Sequence, residues 1–461
     1  MLHTLTSAGK MMRTIFRGMQ MKQPIDAYAA YRKKADEYVG SSYQSRRRRR
    51  DPVDASLDPF SIPLAQLNVA NPQLFKEDLI WPYFKRLREE APVHFCPDSQ
   101  YGAYWSISRF DDILAIDADH KRFSSDSSTG GVTITGTPQN DEFIPMFIQM
   151  DPPRHDEQRA SVAPRFAPTQ LAKLELTIRD RAGAILDDLP RGETFDWVER
   201  VSKNLTGQML ATLLGIPVEE RGKLIAWSDI LTNPDNPELV QSPAIFYNTL
   251  ADVGDYFIEL WNQRVDEPDF DLVSMLANSE GTRDMGPREF VGNLMLLITG
   301  GSDTTRHSIS GGLLALNEHP NEYKKLRANP ELVANMVSEI IRWQTPLSHM
   351  ARTANEAVEV RGQTIAAGDR VILWYISGNR DPAAIPDPDT FKVDRANTRH
   401  HLSFGFGIHR CLGNRLAEMQ LRVVWEEILK RYPLIEVVGK PERVSSCIFH
   451  GFTSMPVRIP L

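Results

Sequence analysis

The spacing of apolar residues along the chain predicts a mainly α-helical protein with a small β region. After Gly413, Leu416, Met419 and Val423 recur at helical intervals, with a second row at Leu421, Val424 and Ile428. A longer apolar helix is predicted from about 287 to 319, and helical patterns also cover 81–90, 170–230 and 243–264. Residues 93–95 and 104–107 read as short strands joined by the polar turn 97–102, and 357–360 and 371–375 as two more around a Gly368-Asp369 turn. Residues 124–142 are rich in Ser, Thr, Gly and Asp, hence loop, and lead to the apolar cluster Ile144-Pro145-Met146-Phe147-Ile148 before Asp151-Pro152-Pro153. Asn233-Pro234-Asp235-Asn236-Pro237 breaks the chain. Tyr28, Tyr31 and Tyr38 sit among charges in 23–45, a weakly amphipathic helix. The expected organisation is a basic extension over 1–58, partly disordered or helical, and one catalytic domain over 59–461.

Charge and cysteine content narrow the class. The net charge of −7 is unevenly spread: residues 1–50 carry twelve Lys/Arg against three Asp/Glu, a balance of +9 that leaves −16 for the remainder. The run Arg46 to Arg50 would suit an anionic membrane surface, nucleic acid or an acidic protein, or simply stay solvated. The reading adopted is no nucleic acid, with peripheral membrane contact left open. Three scattered cysteines, Cys96, Cys411 and Cys447, form neither a disulfide framework nor a zinc pattern, and a cytoplasmic location is expected. No apolar run reaches the ~18 residues needed to span a bilayer.

Four residue groups carry candidate chemistry. Cys411 sits where the glycine-rich Phe404-Gly405-Phe406-Gly407-Ile408-His409-Arg410 runs into a helix. Unpaired N–H groups and the dipole at that helix N-terminus favour a thiolate, and the glycines allow close approach to something flat and large. Such a loop suits an axial ligand to a haem iron; an ordinary buried cysteine is the plain alternative. His155 and Arg159, at i and i+4, share a helical face and would suit a carboxylate, or merely solvent. Gly300-Gly301-Ser302-Asp303-Thr304-Thr305 places two glycines, each costing roughly 1 kcal/mol relative to alanine, inside an apolar helix. That cost implies close packing, a kink or room for a ligand. Glu339 and Arg342, at i and i+3, form a further pair on one face.

Taken together, these residues resemble the cytochromes P450. The decapeptide 404–413 matches the haem-binding signature at Phe404, Gly405, Gly407, His409, Cys411 and Gly413. The resemblance covers roughly 60–461 and implies the P450 fold, a triangular helical prism around a buried haem b. It makes Cys411 the iron ligand, with Phe404 beside the sulfur. His155, Arg159, Arg352 and His409 would contact the haem propionates. Thr304 would hydrogen-bond dioxygen during its activation, Asp303 would relay protons from solvent, and Glu339 with Arg342 would lock the core structurally. Electrons would come from NAD(P)H through a separate 2Fe-2S ferredoxin and ferredoxin reductase, since no flavin, nicotinamide or iron–sulfur motif is visible. Arg410 is a candidate docking charge, and a monomer is expected.

A finer resemblance points to a branch. Phe147-Ile148-Gln149-Met150-Asp151-Pro152-Pro153, Arg342-Trp343-Gln344-Thr345-Pro346-Leu347 and Trp374-Tyr375-Ile376-Ser377-Gly378-Asn379-Arg380-Asp381 look like the bacterial enzymes that hydroxylate medium-chain alkanes and fatty acids at the terminal carbon. Terminal attack implies selection by shape, in a narrow apolar channel. Ile144, Phe147, Leu296, Gly300, Leu347, Met350 and Phe452 are its expected lining. A terpene or steroid hydroxylase is the alternative substrate class. A haem-thiolate ligand-binding protein or peroxygenase without a redox partner is the alternative function class.

Overall fold

The structure, a computed structural model, describes residues 27–38, 53–136, 144–232 and 239–461. The Arg46–Arg50 run and the 233–237 break lie outside the described residues.

The helices that position the site are α1 (Ala29–Glu37), α2 (Ile80–Glu90), α3 (Phe110–Ala118), α4 (Arg154–Val162), α5 (Pro168–Asp187), α6 (Asn204–Leu214), α7 (Arg221–Thr232), α8 (Pro243–Asp266), α9 (Pro287–Glu318), α10 (Val333–Gln344) and α11 (Asn414–Arg431). A five-stranded sheet stands beside them, built from β1 (Val93–Cys96), β2 (Tyr104–Ile107), β3 (Phe123–Ser124), β4 (Met350–Ala354) and β5 (Arg370–Leu373). Its order is β1-β2-β5-β4-β3, antiparallel except where β2 runs parallel to β5. The long helix α9 crosses the core, burying Leu294, Ile298, Ile309, Leu313 and Leu316 at helical spacing. Fold class and helix placement follow the expectation from the sequence. A short strand, Thr194–Asp196, interrupts the stretch expected to be wholly helical because it pairs with Pro456–Arg458 near the chain end.

The expected weak helix at the N-terminus is present as α1 and is packed against the body. Tyr28 is fully buried on α8 over Gly254, where an added Cβ would lie 2.5 Å from the Tyr28 ring. Only glycine admits the ring there. The Tyr28 hydroxyl donates to Pro287 O at 2.8 Å, so one side chain joins α8 to the start of α9. Arg32 pairs with Asp252 at 3.0 Å and Asp255 at 2.5 Å, and Tyr38 stacks on Tyr247. Among the described residues, no helix is long and apolar enough to cross a membrane.

Candidate active site

A cavity of about 500 Å³ lies between α9, α4, β4 and the loop that precedes α11. That falls within the usual range for small-molecule sites, about 300–1,000 Å³. Leu296, Leu297, Gly300, Gly301 and Thr304 line it from α9, recurring every three to four residues as one helical face requires. A Cβ on Gly300 would meet nothing within 4 Å, so this glycine leaves the cavity open. A Cβ on Gly301 would lie 3.3 Å from Leu210 of α6, so its neighbour serves close helix packing. The two glycines thus do different things.

Cys411 lines the same cavity, held by its N–H donating to Phe404 O at 2.8 Å. It forms no disulfide and presents accessible surface. Desolvation by the surrounding wall pushes the thiol above its ordinary pKa, against the pull of the Gly413 N–H and the Arg159 and Arg410 charges. The N–H at the helix terminus thus pulls towards the thiolate, as its placement implies, and desolvation opposes it. A metal at the sulfur reverses that balance, since coordination deprotonates a thiol.

Four of the expected anion-binding residues surround the same space. His155, Arg159, Arg352 and His409 all line the cavity, alongside Phe404. The rings of His155 and His409 meet edge to face with centroids 4.3 Å apart. Burial first, then the Arg352, His155 and Arg159 neighbourhood, drive the His409 pKa down to about 2. Burial also lowers that of His155. His155 Nε2 and both ring nitrogens of His409 are buried without a hydrogen-bond partner. Arg159 donates to Arg410 O at 2.5 Å, and Arg352 to Ala351 O at 2.7 Å.

Asp303 and Thr304 face different ways, because consecutive helical residues are rotated by about 100°. Thr304 opens on the cavity and donates to Gly300 O at 3.2 Å. Asp303 is buried outside the cavity wall and accepts from the Ser228 hydroxyl of α7 at 2.9 Å. Its Oδ1 also lies 3.4 Å from Arg306, while its Oδ2 has no partner. Arg306 pairs with Asp229 at 2.5 Å, Asp229 with Lys203 at 3.2 Å, and Lys203 with Glu199 at 3.3 Å. Glu199 is two-thirds exposed (67%), so a continuous row of charged groups runs from Asp303 to the surface.

Glu339 and Arg342 form a bidentate pair at 2.7 and 2.8 Å, fully buried. Arg395 joins at 2.9 Å, a third member that the sequence spacing did not show. Arg342 also donates to Asn379 O at 2.8 Å. The Asn379 side chain in turn holds Leu402 N at 2.7 Å and Ser403 Oγ at 2.8 Å, just ahead of Phe404. The pair is thereby connected to the Cys411 loop through one asparagine.

Of the expected lining, Phe147, Leu296, Gly300, Leu347 and Met350 face the cavity. Phe147 is pinned by its N–H donating to Asn293 Oδ1 at 2.8 Å. Ile144 and Phe452 do not belong to the wall. Ile144 packs beside Gly292 of α9, where an added Cβ would lie 3.0 Å from it. Phe452 begins the strand Phe452–Ser454 and lies buried under Arg443, with its N–H donating to His307 Nδ1 at 3.2 Å. Phe449, three residues earlier and bridged to Leu347, takes the place in the wall.

Asp117, at the end of α3, escaped the sequence reading altogether. It is buried and accepts from Arg352 at 2.5 Å, the Tyr375 hydroxyl at 2.8 Å and Phe406 N at 2.8 Å. Gly405 and Gly407 both have positive φ, 65° and 68°. A Cβ on Gly407 would sit 2.7 Å from Asp117 O, and one on Gly405 3.3 Å from Asp117 Oδ2. Much of the glycine requirement in this loop is thus its seat on the end of α3, and only part remains for a flat group to explain.

Comparison with known proteins bears on this site directly. Residues 247–448 match the family model for cytochrome P450. Linalool 8-monooxygenase of Pseudomonas putida is 36% identical over 399 residues, covering 85% of this chain and 98% of its own. The methyl-branched lipid omega-hydroxylase of Mycobacterium tuberculosis is 31% identical over 415 residues, covering 87% and 96%. The solved structure of cytochrome P450-153 from Novosphingobium aromaticivorans superposes with a TM-score of 0.81 at 43% identity, covering 85% of this chain and 99% of that one. The chain belongs to the cytochrome P450 family and is a mono-oxygenase of that family. Such enzymes carry haem, consume O2, act on small molecules and receive electrons from partner proteins.

Proposed function

We propose that this mono-oxygenase uses haem b and hydroxylates medium-chain alkanes or fatty acids at the terminal carbon. In this reading its electrons come from NAD(P)H through a 2Fe-2S ferredoxin and its reductase, and it works as a cytoplasmic monomer. The observation that carries the reading is the apolar wall of Phe147, Leu296, Leu297, Leu347, Met350 and Phe449 in the same cavity as Cys411. A linear chain gains from such a wall mainly by burial, about 25 cal/mol per Å² of apolar surface, and shape then decides which carbon is presented.

The residues fit haem. Among the described residues no cluster of three His, Cys, Asp or Glu is placed to chelate a bare ion, so a metal bound by Cys411 must bring most of its own ligands. The unpartnered nitrogens of His155 and His409, with Arg159 and Arg352 in the same wall, are what two carboxylates of a prosthetic group would satisfy. Cys411 would ligate the iron and Phe404 would pack beside the sulfur. When bound, the haem activates O2 for insertion of one oxygen atom into a C–H bond, with the thiolate supplying electron density.

The rest is the chain's own work. Thr304 holds a hydroxyl proton in the cavity wall, now engaged with Gly300 O, ready to be presented to a polar group there. Asp303 is held by Ser228 and Arg306 at the inner end of the charged row Arg306–Asp229–Lys203–Glu199. Its carboxylate would carry a proton by leaving those contacts and turning towards the Thr304 side, while the arginine keeps its charge and only holds it in place. The apolar wall excludes bulk water that would discharge those protons unproductively. Arg410, exposed beside Cys411, is a docking charge for the ferredoxin.

A second reading, hydroxylation of a terpenoid, is favoured by the 36% identity to linalool 8-monooxygenase. Turnover in isotopically labelled O2 with a surrogate ferredoxin, reductase and NADH separates the function classes. One labelled oxygen per product, dependent on the ferredoxin, is expected. Product formed equally well with hydrogen peroxide alone would instead define a peroxygenase.

A further inference from the structure

We infer that Asp117 is a positioning residue for the haem, fixing the charge presented by Arg352 and the seat of the Cys411 loop at once. The inference rests on the haem-thiolate reading above.

The observations converge on one carboxylate. Its Oδ1 accepts from Arg352 Nη2 at 2.5 Å, and both side chains are buried, at 1% and 3% exposure. Its Oδ2 accepts from Tyr375 Oη and from Phe406 N, each at 2.8 Å. Phe406 lies five residues before Cys411, and Tyr375 opens the short helix Tyr375–Gly378 that leads to Asn379. Gly405 and Gly407 adopt left-handed conformations against the same residue, at φ 65° and 68°. Asp117 therefore joins the end of α3, strand β4 and the loop before α11 through one side chain.

Electrostatics gives this arrangement a consequence that packing alone would not. Arg352 reaches the cavity wall, yet its charge is already paired. A prosthetic group there meets a neutral ion pair rather than a bare cation. The ferric centre carries one more positive charge than the ferrous, so a cation released beside it favours reduction. Neutralising Asp117 releases that cation, while neutralising Arg352 leaves a bare anion and does the reverse.

The test measures the ferric/ferrous midpoint potential and the CO spectrum of the reduced holoenzyme in four variants. Asp117→Asn is expected to shift the potential upward and Arg352→Gln downward. The double variant, with no net change in charge, should return close to the wild-type value. Tyr375→Phe removes one hydrogen bond from the same hub without altering charge and should leave the potential in place. An unchanged potential in Asp117→Asn, with a thiolate-type CO spectrum intact, overturns the inference; so does a shift of equal size in Tyr375→Phe. Should Asp117→Asn strand the buried arginine and yield no haem protein, the double variant is expected to restore it, and failure to do so overturns the inference too. Absence of a thiolate-type spectrum in the wild-type protein would instead remove the haem-thiolate reading itself.

Discussion

Ser228 donates its hydroxyl proton to Asp303 at 2.9 Å, across the interface between α7 and the long helix α9. The contact holds the carboxylate outside the cavity wall, while Thr304, the next residue, lines it. Acid and alcohol are thus neighbours in sequence that work from two faces of one helix. The acid reaches solvent through Arg306, Asp229, Lys203 and Glu199, without opening the apolar wall to water.

Asp303→Asn tests that division. The amide oxygen can still accept from Ser228, so packing is retained while the proton-carrying group is lost. Turnover should fall by about 100-fold, the low end of what a positioned acid or base contributes, with substrate binding unchanged. Single-turnover kinetics beside a substrate-binding titration provide the check. Equal loss in both would assign Asp303 to structure alone.

Thr304→Ala removes the cavity-lining hydroxyl that donates to Gly300 O. NADH consumption should continue while product per NADH drops several-fold. Unchanged coupling would show that proton positioning lies elsewhere.

The two glycines of α9 should separate in effect. Gly300→Val projects into open space in the cavity and should weaken binding of long substrates at little cost in stability. Gly301→Val must displace Leu210, 3.3 Å from the position of an added Cβ, and should cost about 1–3 kcal/mol through overpacking. Substrate titration and thermal unfolding on both variants decide this.

Glu339→Gln breaks a buried bidentate pair and strands both Arg342 and Arg395. Removing one partner of such a buried pair costs about 3–5 kcal/mol. Because Arg342 reaches the Cys411 loop through Asn379, the variant should also lose thiolate-type haem, read from the CO spectrum of the reduced protein.

What the sequence made legible has a physical pattern. The apolar pattern predicts a helix over about 287–319 and α9 runs Pro287–Glu318, because thirty-odd residues of sustained apolar periodicity leave little choice of structure. The spacing of His155 and Arg159 puts them on one helical face, and both line the cavity. Asp117 was invisible for the opposite reason. Its partners Arg352, Tyr375 and Phe406 lie 235, 258 and 289 residues away, and no local pattern connects them. The sequence does not distinguish Phe452 from Phe449, which stands in the wall, since three positions in an irregular segment carry no periodicity to orient a side chain. The weak amphipathic pattern over 23–45 does not show how deeply Tyr28 is buried, because the hole that receives it, at Gly254, lies on another helix.

The measurement that bears most directly on the central claim is product regiochemistry from n-octane, with the purified protein, a surrogate ferredoxin and reductase, and NADH. Selection by shape in the apolar cavity over Cys411 predicts predominantly 1-octanol, although the terminal C–H bond is the strongest in the chain. Mostly 2- and 3-octanol would contradict terminal hydroxylation while leaving the mono-oxygenase in place.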